Sequence, residues 1–561
     1  MTPISNVSAP APTPARIEKV PPAPIAAPSN VPEVNAPIAE AGATGHILIA
    51  RIGQHADLAA ASQLPRGAER KTAVYNALVE TARTSQVDAL AALAKLQSTG
   101  DVTKVESMFL PNAILVTAKA GADDAVSQAL KGLANVQDVV ENHTWNVRAD
   151  EFSGAAGAAA GAAYVDWAKG YIDGPKWHMA HADLRADPDT PAPPTLPTAN
   201  PKGADDGWET DVEEPGAAVG DHTWGIDKIH APEVWAEGVT GQGVTVGVVD
   251  TGLDSQHPAI KAHYRGTNAD GSQSNDYNWY DPFTLKATPF DDGDHGTHVA
   301  GTSVGGADGR VIGVAPGAKV IAAKAINGSG YNTSETTLKA LQWMLAPTKT
   351  DGTAPDPTKG ADVINNSWGG SNPDEQFMET FAALKAAGIE LVNSAGNEGP
   401  GAGTTGSPGS YPGYFSIAAS TVKDTIAGFS SRGPSKYAKD GEMIPNIAAP
   451  GANVLSSVPG GRYQAMSGTS MAAPHTTGAV ALLLSKFPQA THEQLAKALE
   501  STAQDIDIKG PDTAAGYGRI DVAAALRALG ASMAGASDAQ AGAAAAAHAP
   551  VEMQASVEQA A

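Results

Sequence analysis

Between residues 222 and 530, short apolar runs alternate with segments of helical period. The order is VTVGVVD, HGTHVAGTSV, VIAAKAI, TLKALQWML, DVINNSW, FAALKAAG, ELVNSAG and, further on, AAPHTTGAVALLLSKF. Runs such as VTVGVVD and ELVNSA carry apolar residues on both faces, as strands do inside a parallel sheet covered by helices on each side. The pattern predicts an α/β unit with a parallel sheet flanked by helices. In open sheets of this kind ligands bind beyond the carboxyl ends of the strands. The polar residues that end the strands are therefore the ones to inspect.

Residues 45–148 form an earlier patterned unit. HILIARI reads as a strand, and Arg70–Leu96 has helical period throughout. VTKVESMFL and AILVTAKA read as short strands divided by the turn dipeptide Pro111-Asn112. Asp123–Leu133 reads as a second amphipathic helix, and VQDVVENHTWNV as one closing strand. The order βαββαβ is that of the split-βαβ, ferredoxin-like α+β fold. This unit holds no clustered histidines or carboxylates and no glycine-rich loop, so chemistry is sought in the later unit.

The remaining segments lack either period. Residues 1–44 are rich in Pro and Ala and free of aromatics, too poor in apolar surface to order themselves. Residues 149–221 run from GAAGAAAGAAY through DPDTPAPPTLPTANP to the acidic DDGWETDVEE, the composition of a linker. Residues 531–561 contain AGAAAAAHAP and are expected to be a disordered or marginally helical tail.

Composition narrows the function classes. The 561 residues include 37 Lys+Arg against 60 Asp+Glu, a net charge of −23. Such a field repels phosphate backbones and anionic lipid, so neither a nucleic-acid partner nor a membrane surface is expected. Cysteine is absent, which excludes disulfides, thiolate catalysis and Cys-ligated metal centres. No stretch approaches the ~18 consecutive apolar residues of a membrane span. The opening MTPISNVSAPAPTPARIEKV has neither a basic nor an apolar signal region, so no secretory signal is expected there.

Three polar residues stand where strands end or helices begin. Asp250 closes VTVGVVD and precedes Thr251-Gly252; alone, it reads equally as a turn or capping residue. His295 lies in DDGDHGTHVAGT, where the alternatives are a surface histidine or a metal pair with His298. HGTH lacks the HExxH spacing and its general-base Glu, which argues against metal. Ser470 sits in MSGTSMAAPHTTGAVALLLSKF, at a turn feeding a long apolar helix, where a helix cap is the plain alternative. Together they have a further meaning. A serine nucleophile needs a base within reach, and that base needs an orienting carboxylate. The chain order Asp, His, Ser separates this arrangement from two other known orders.

VVDTGLDSQHP, DHGTHVAGT, VAPGAK, NNSWGG, SAGNEG, FSSRGP, APGANV and GTSMAAPH follow one another along residues 222–530. In this the chain resembles the subtilisin-like serine proteases, the subtilase family. The segments TWGIDKIHAPEVWAEGVTGQG, NWYDPF, TPFDDGDHGTH and NNSWGG are most similar to its bacillopeptidase F branch. The resemblance implies a catalytic triad of Asp250, His295 and Ser470, with Asn397 of SAGNEG as the oxyanion-hole side chain. It implies that an extended protein or peptide substrate pairs with Ser367, Trp368, Gly369 and Gly370, with Trp368 walling an apolar subsite. A core position is the other reading of Trp368. Gly406 of TTGSPGSYP matches the glycine at the base of the primary pocket. No charged residue fills the matched floor, so large apolar side chains are expected there.

The resemblance further implies that residues 45–148 are a propeptide, a partner that assists folding and inhibits until removed. The chain would then be a zymogen that processes itself within about 143–222, with VQDVVENHTWNV lying along Ser367–Gly370. No cofactor is implied for catalysis. A structural Ca²⁺ is compatible with the family, but SVGGADGRVI is shorter than the matching calcium loop, and no ligands can be assigned. The family's usual setting is extracellular or in the cell envelope. A non-catalytic scaffold would have lost one of these residues. A small-ester hydrolase would not need the backbone-pairing NNSWGG block.

Overall fold

The computed structural model describes residues 46–146, 222–307, 309–370, 374–439 and 441–547. The segments 1–44 and 149–221, read above as spacer and linker, lie outside them. In the first unit, strand β1 (His46–Ile52) is followed by helices α1 (Ala68–Ser85) and α2 (Val87–Thr99), then strands β2 (Val102–Met108) and β3 (Ala113–Ala118). Helix α3 (Asp123–Lys131) and strand β4 (Val136–Glu141) complete it. The four strands form an antiparallel sheet in the order β2-β3-β1-β4, which is the ferredoxin-like arrangement.

The single helical period over Arg70–Leu96 resolves into two helices. The break falls at Gln86, which is buried, and its side-chain amide donates to Met108 O at 2.9 Å and Asn112 Oδ1 at 2.8 Å. A side chain that closes the β2–β3 turn fixes where the helix bends. Periodicity carries no sign of it.

The closing strand also divides. Strand β4 stays on the sheet, whereas strand β5 (Thr144–Asn146) leaves it. β5 pairs antiparallel with Tyr331–Thr333 of the second unit, not with Ser367–Gly370 as the sequence reading had it.

The second unit is built on strands β6 (Thr245–Asp250), β7 (Trp279–Tyr280), β8 (Lys319–Lys324), β10 (Val363–Asn366), β11 (Glu390–Ser394), β12 (Phe415–Ser420) and β13 (Ile447–Pro450), with the short β9 (Tyr331–Thr333) outside the sheet. They make a seven-stranded sheet in the order β13-β12-β11-β10-β6-β8-β7, parallel throughout. Helices α4 (His295–Val304) and α7 (Thr469–Lys486) share one core with Val246 and Val248. Helices α5 (Ser334–Leu345) and α6 (Met378–Ala386) share the other with Val249, Ile321 and Ile364. Alternate residues of β6 thus serve opposite faces, as a period of two requires. Gly247 shows how closely the layers approach: a Cβ there would lie 2.5 Å from the Met344 sulfur of α5.

Strands β14 (Val454–Val458) and β15 (Arg462–Met466) form a hairpin ahead of α7, and helices α8 (His492–Ser501) and α9 (Val522–Ala547) end the described chain. Helix α9 runs well beyond residue 531, so as far as Ala547 the tail takes the helical of the two forms expected and not the disordered one. Leu526 and Leu529 anchor its start in the core, Met533 packs against them, and the Ala-rich continuation has high helix propensity. No helix among the described residues is long and apolar enough to cross a membrane.

Candidate active site

Asp250 is the last residue of β6 and is fully buried. The sheet edge brings it to His295, the first residue of α4, with Nδ1 of the ring 2.8 Å from Asp250 Oδ1. The same oxygen accepts the Thr251 backbone N–H at 2.7 Å. The turn that delivers His295 is held from several sides. Asp294 has φ +66°, a conformation that Asp tolerates better than most residues. Gly296 N–H donates to Thr251 Oγ1 at 2.8 Å, and Asp291 accepts from Thr251 Oγ1 at 2.8 Å and from Thr297 N–H at 2.8 Å.

Histidine 298 has a different task. It is buried, and its Nε2 lies 3.0 Å from both Val454 O and Gln464 O in the β14–β15 hairpin. Burial pushes its imidazole down to about 3, so it stays neutral. Among the described residues, no group of three His, Cys, Asp or Glu side chains is arranged to hold a metal ion.

Ser470 is the second residue of α7, a helix buried almost along its whole length. Its hydroxyl donates to Ser367 O at 3.2 Å, and the Ser367 hydroxyl donates back to Ser470 O at 2.8 Å. The segment after β10 is thereby latched to the start of α7. Asn397 follows β11, and its Oδ1 accepts the Thr469 N–H at 2.9 Å and the Thr469 hydroxyl at 3.0 Å. With the oxygen so engaged, the amide's donor end is the one left for the cleft. Thr469 is a positioning residue that the sequence reading passed over, although it adjoins Ser470.

These elements surround a cleft bordered by Ser367–Gly370, Gly396–Glu398, Gly406 and Ser470. Gly370 N–H donates to Ser407 O at 3.0 Å, and a Cβ on Gly369 would lie 2.9 Å from that same oxygen. Trp368 borders the cleft but takes the core reading for most of its ring: it is 2% exposed and packs edge-on against Phe377, with centroids 5.8 Å apart. A charged residue, Glu398, also borders the cleft. Burial pushes the Glu398 carboxyl above the usual carboxylate range, although the Ser431 hydroxyl donates to it at 2.9 Å. Its position directly after Asn397 was the available signal.

The first unit lies against the opposite side of α5 and α6. Phe109 and Leu110 N–H both donate to Gln342 Oε1, at 2.9 and 3.0 Å. Arg66 pairs with the buried Glu390 and also donates to Gly388 O, while His492 Nδ1 lies 2.7 Å from the other carboxylate oxygen. Lys71 bonds Asp362 Oδ1 at 2.7 Å and Gly360 O at 2.9 Å. Burial alone would push the Glu390 carboxyl up, but His492 and Arg66 hold it down at about 2.

Compared with known proteins, residues 241–518 match the pattern of the Subtilase family. Bacillopeptidase F of Bacillus subtilis is 43% identical over 307 residues, 53% of this chain but 21% of that protein. Subtilisin E of Bacillus subtilis is 34% identical over 313 residues, covering 54% of this chain and 71% of the relative. A subtilisin of Bacillus pumilus is 34% identical over 313 residues and is covered over 98% of its length.

Proposed function

The chain belongs to the subtilase family of serine peptidases, and from that premise we propose that it is an endopeptidase working through Ser470, His295 and Asp250. In this reading the Ser470 hydroxyl attacks a peptide carbonyl while His295 Nε2 takes its proton and later returns it to the leaving amine. Asp250 holds Nδ1 protonated and stabilises the imidazolium as it forms. The oxyanion meets the Asn397 amide and the positive end of α7. The observation that carries the proposal is the 2.8 Å Asp250–His295 contact at the carboxyl edge of the parallel sheet. The cleft bordered by both Ser470 and Asn397 adds to it.

The substrate would be an extended protein segment alongside Ser367–Gly370. With Glu398 beside Gly406, large apolar and basic residues both suit the primary pocket, the basic ones only while that carboxylate is ionised. No step requires a metal. Residues 45–148 act as the inhibitory propeptide of a self-processed zymogen. The pairing of β5 with Tyr331–Thr333 supports this, since it commits the end of that unit to the second one.

The test compares wild type with Ser470→Ala. Wild type is expected to shorten to an N-terminus within about 143–222, to cleave casein and to take a sulfonyl fluoride label on Ser470. The variant is expected to stay full length and inactive. A label on another serine, or an active Ser470→Ala, would overturn the reading.

A further inference from the structure

Lys324, the last residue of β8, is 2% exposed although it carries a charge. It is the register partner of Asp250 on the adjacent parallel strand. Paired positions of neighbouring strands point to the same sheet face, so both side chains lie on the side of α4. The ammonium donates to Thr251 O, directly after Asp250, to Ile326 O at 3.1 Å, and to Asp292 Oδ1, three residues before His295. Phe290, on the same approach to His295, has its ring centroid 5.0 Å from Nζ. One cation thus ties together the exit of β6, the exit of β8 and the segment leading into α4. Asp250 O closes the same junction by accepting from Ala325 N–H at 2.9 Å and Ile326 N–H at 3.1 Å.

The charge matters as much as the tether. One oxygen of Asp250 serves His295 and Thr251, and the other is buried with no hydrogen-bond partner among the described residues. A buried carboxylate so short of donors needs a nearby positive charge. We infer that Lys324 is a positioning residue for the Asp250–His295 pair, with Asp292 as its counter-charge. It would set the spacing of the two loops and balance the local field in which the imidazole gains and loses its proton. This rests on the serine-peptidase reading above and extends it to a residue outside the triad and the cleft.

The other titratable groups around His295 can be named. The elements packed against α4 contribute Asp250 on β6, Lys324 and the distant Lys319 on β8, and His475 and the far-end Lys486 on α7. They also contribute Lys261 and its capping residue His257 on the short helix Pro258–Lys261. Burial pushes His475 down to about 4, as it does His298 on α4 itself, so neither competes for protons near neutral pH. Asp291, Asp292 and Asp294 stand on the segment before α4.

The signs then follow. Lys324→Met leaves Asp292 unbalanced, so imidazolium is favoured and the acid limb of the activity profile moves to higher pH. Asp292→Asn leaves Lys324 unbalanced and moves it to lower pH. Each shift is expected to be roughly half a pH unit, the scale of one unit charge, itself paired with an opposite one, acting at a neighbouring buried group. Lys324→Met should also lower kcat about tenfold to a hundredfold with KM within about twofold, because the tether is lost. The double variant should bring the acid limb back while kcat stays low, and Lys324→Arg should leave the limb in place.

The experiment measures pH profiles of kcat and KM for these variants in the processed enzyme. NMR titration of the His295 ring protons in the full-length Ser470→Ala background reads the same shift without turnover. A folded Lys324→Met with wild-type kcat and titration overturns the inference. Should that variant fail to fold, Asp292→Asn changes only a half-exposed carboxylate, and an unmoved titration there overturns it too. Absence of Ser470 labelling in wild type would instead sink the serine-peptidase reading, while the ring titration would still judge Lys324.

Discussion

The seven-stranded sheet has helices of its own on both faces, α4 and α7 on one and α5 and α6 on the other. The four-stranded sheet covers one face with α2 and α3, and its other face shares a core with α1 and the second unit. Its private core comprises thirteen buried residues, among them Leu48, Ala50, Leu93, Val116 and Leu130. Seven more, Ile49, Val74, Leu78, Met108, Leu110, Ala113 and Leu115, belong to a core shared with residues such as Leu341, Phe381 and Leu384 of α5 and α6. Exposing seven such side chains at roughly 1–2 kcal/mol each forfeits about 10 kcal/mol, as much as the whole stability of an ordinary domain. One unit is finished by its own chain segments. The other is finished by docking.

The largest effect should come from separating them. Fragment 45–148, isolated after cleavage of the folded chain, should lack a cooperative thermal transition by circular dichroism. It should regain ordered signal when mixed with the second unit carrying Ser470→Ala. A sharp transition in the isolated fragment would break the comparison.

A smaller effect is expected at the ion cluster. Arg66 and Glu390 are both buried, and removing one partner of such a pair costs about 3 kcal/mol. Arg66→Ala should therefore weaken docking of the fragment on the order of 100-fold, as read by calorimetry. The pH dependence has a definite sign. Glu390 is held down at about 2, and Arg66 contributes to that only when the units are docked. The stabilisation is therefore fully present above the usual carboxylate value of about 4.3 and is lost as pH falls from there toward 2. Affinity that is unchanged between pH 5 and pH 3 would remove Glu390 from the account.

The smallest effect concerns Gln342. Gln342→Ala leaves the Phe109 and Leu110 N–H groups without their acceptor and should weaken docking by about tenfold. Gln342→Glu keeps an acceptor and should lose nothing. Equal losses in both variants would show that the side chain matters for packing alone.

Much of this was legible in the sequence because it depends on local pattern. Strands buried on both faces, the apolar α7 and the βαββαβ order all follow from period and run length. Asp250, His295, Ser470 and Asn397 sit in short segments whose neighbours single them out as candidates. What escaped is set by residues distant in the chain. Gln86 divides a helix because its amide reaches Met108 and Asn112. Trp368 is hidden because Phe377 and its surroundings close over it. The end of the first unit pairs with β9, a strand far along the chain. Glu398 follows Asn397 directly, but its place on the cleft depends on how the segment after β11 folds back, which local pattern does not carry.

The burial of α7 bears on how a preparation of this protein would age. Sixteen of its residues, Thr469 to Leu484, are buried, so exposing that helix means opening most of the molecule. Surface loops open far more often than that. With Ser470 as the proposed nucleophile on so buried a helix, the peptidase would stay armed while its own periphery breathes, and its neighbours in solution would stay armed as well. Activity should then decay through encounters between copies, with a half-life that shortens as the protein is concentrated. A preparation limited by unfolding of single molecules would instead lose activity at one rate, whatever the dilution.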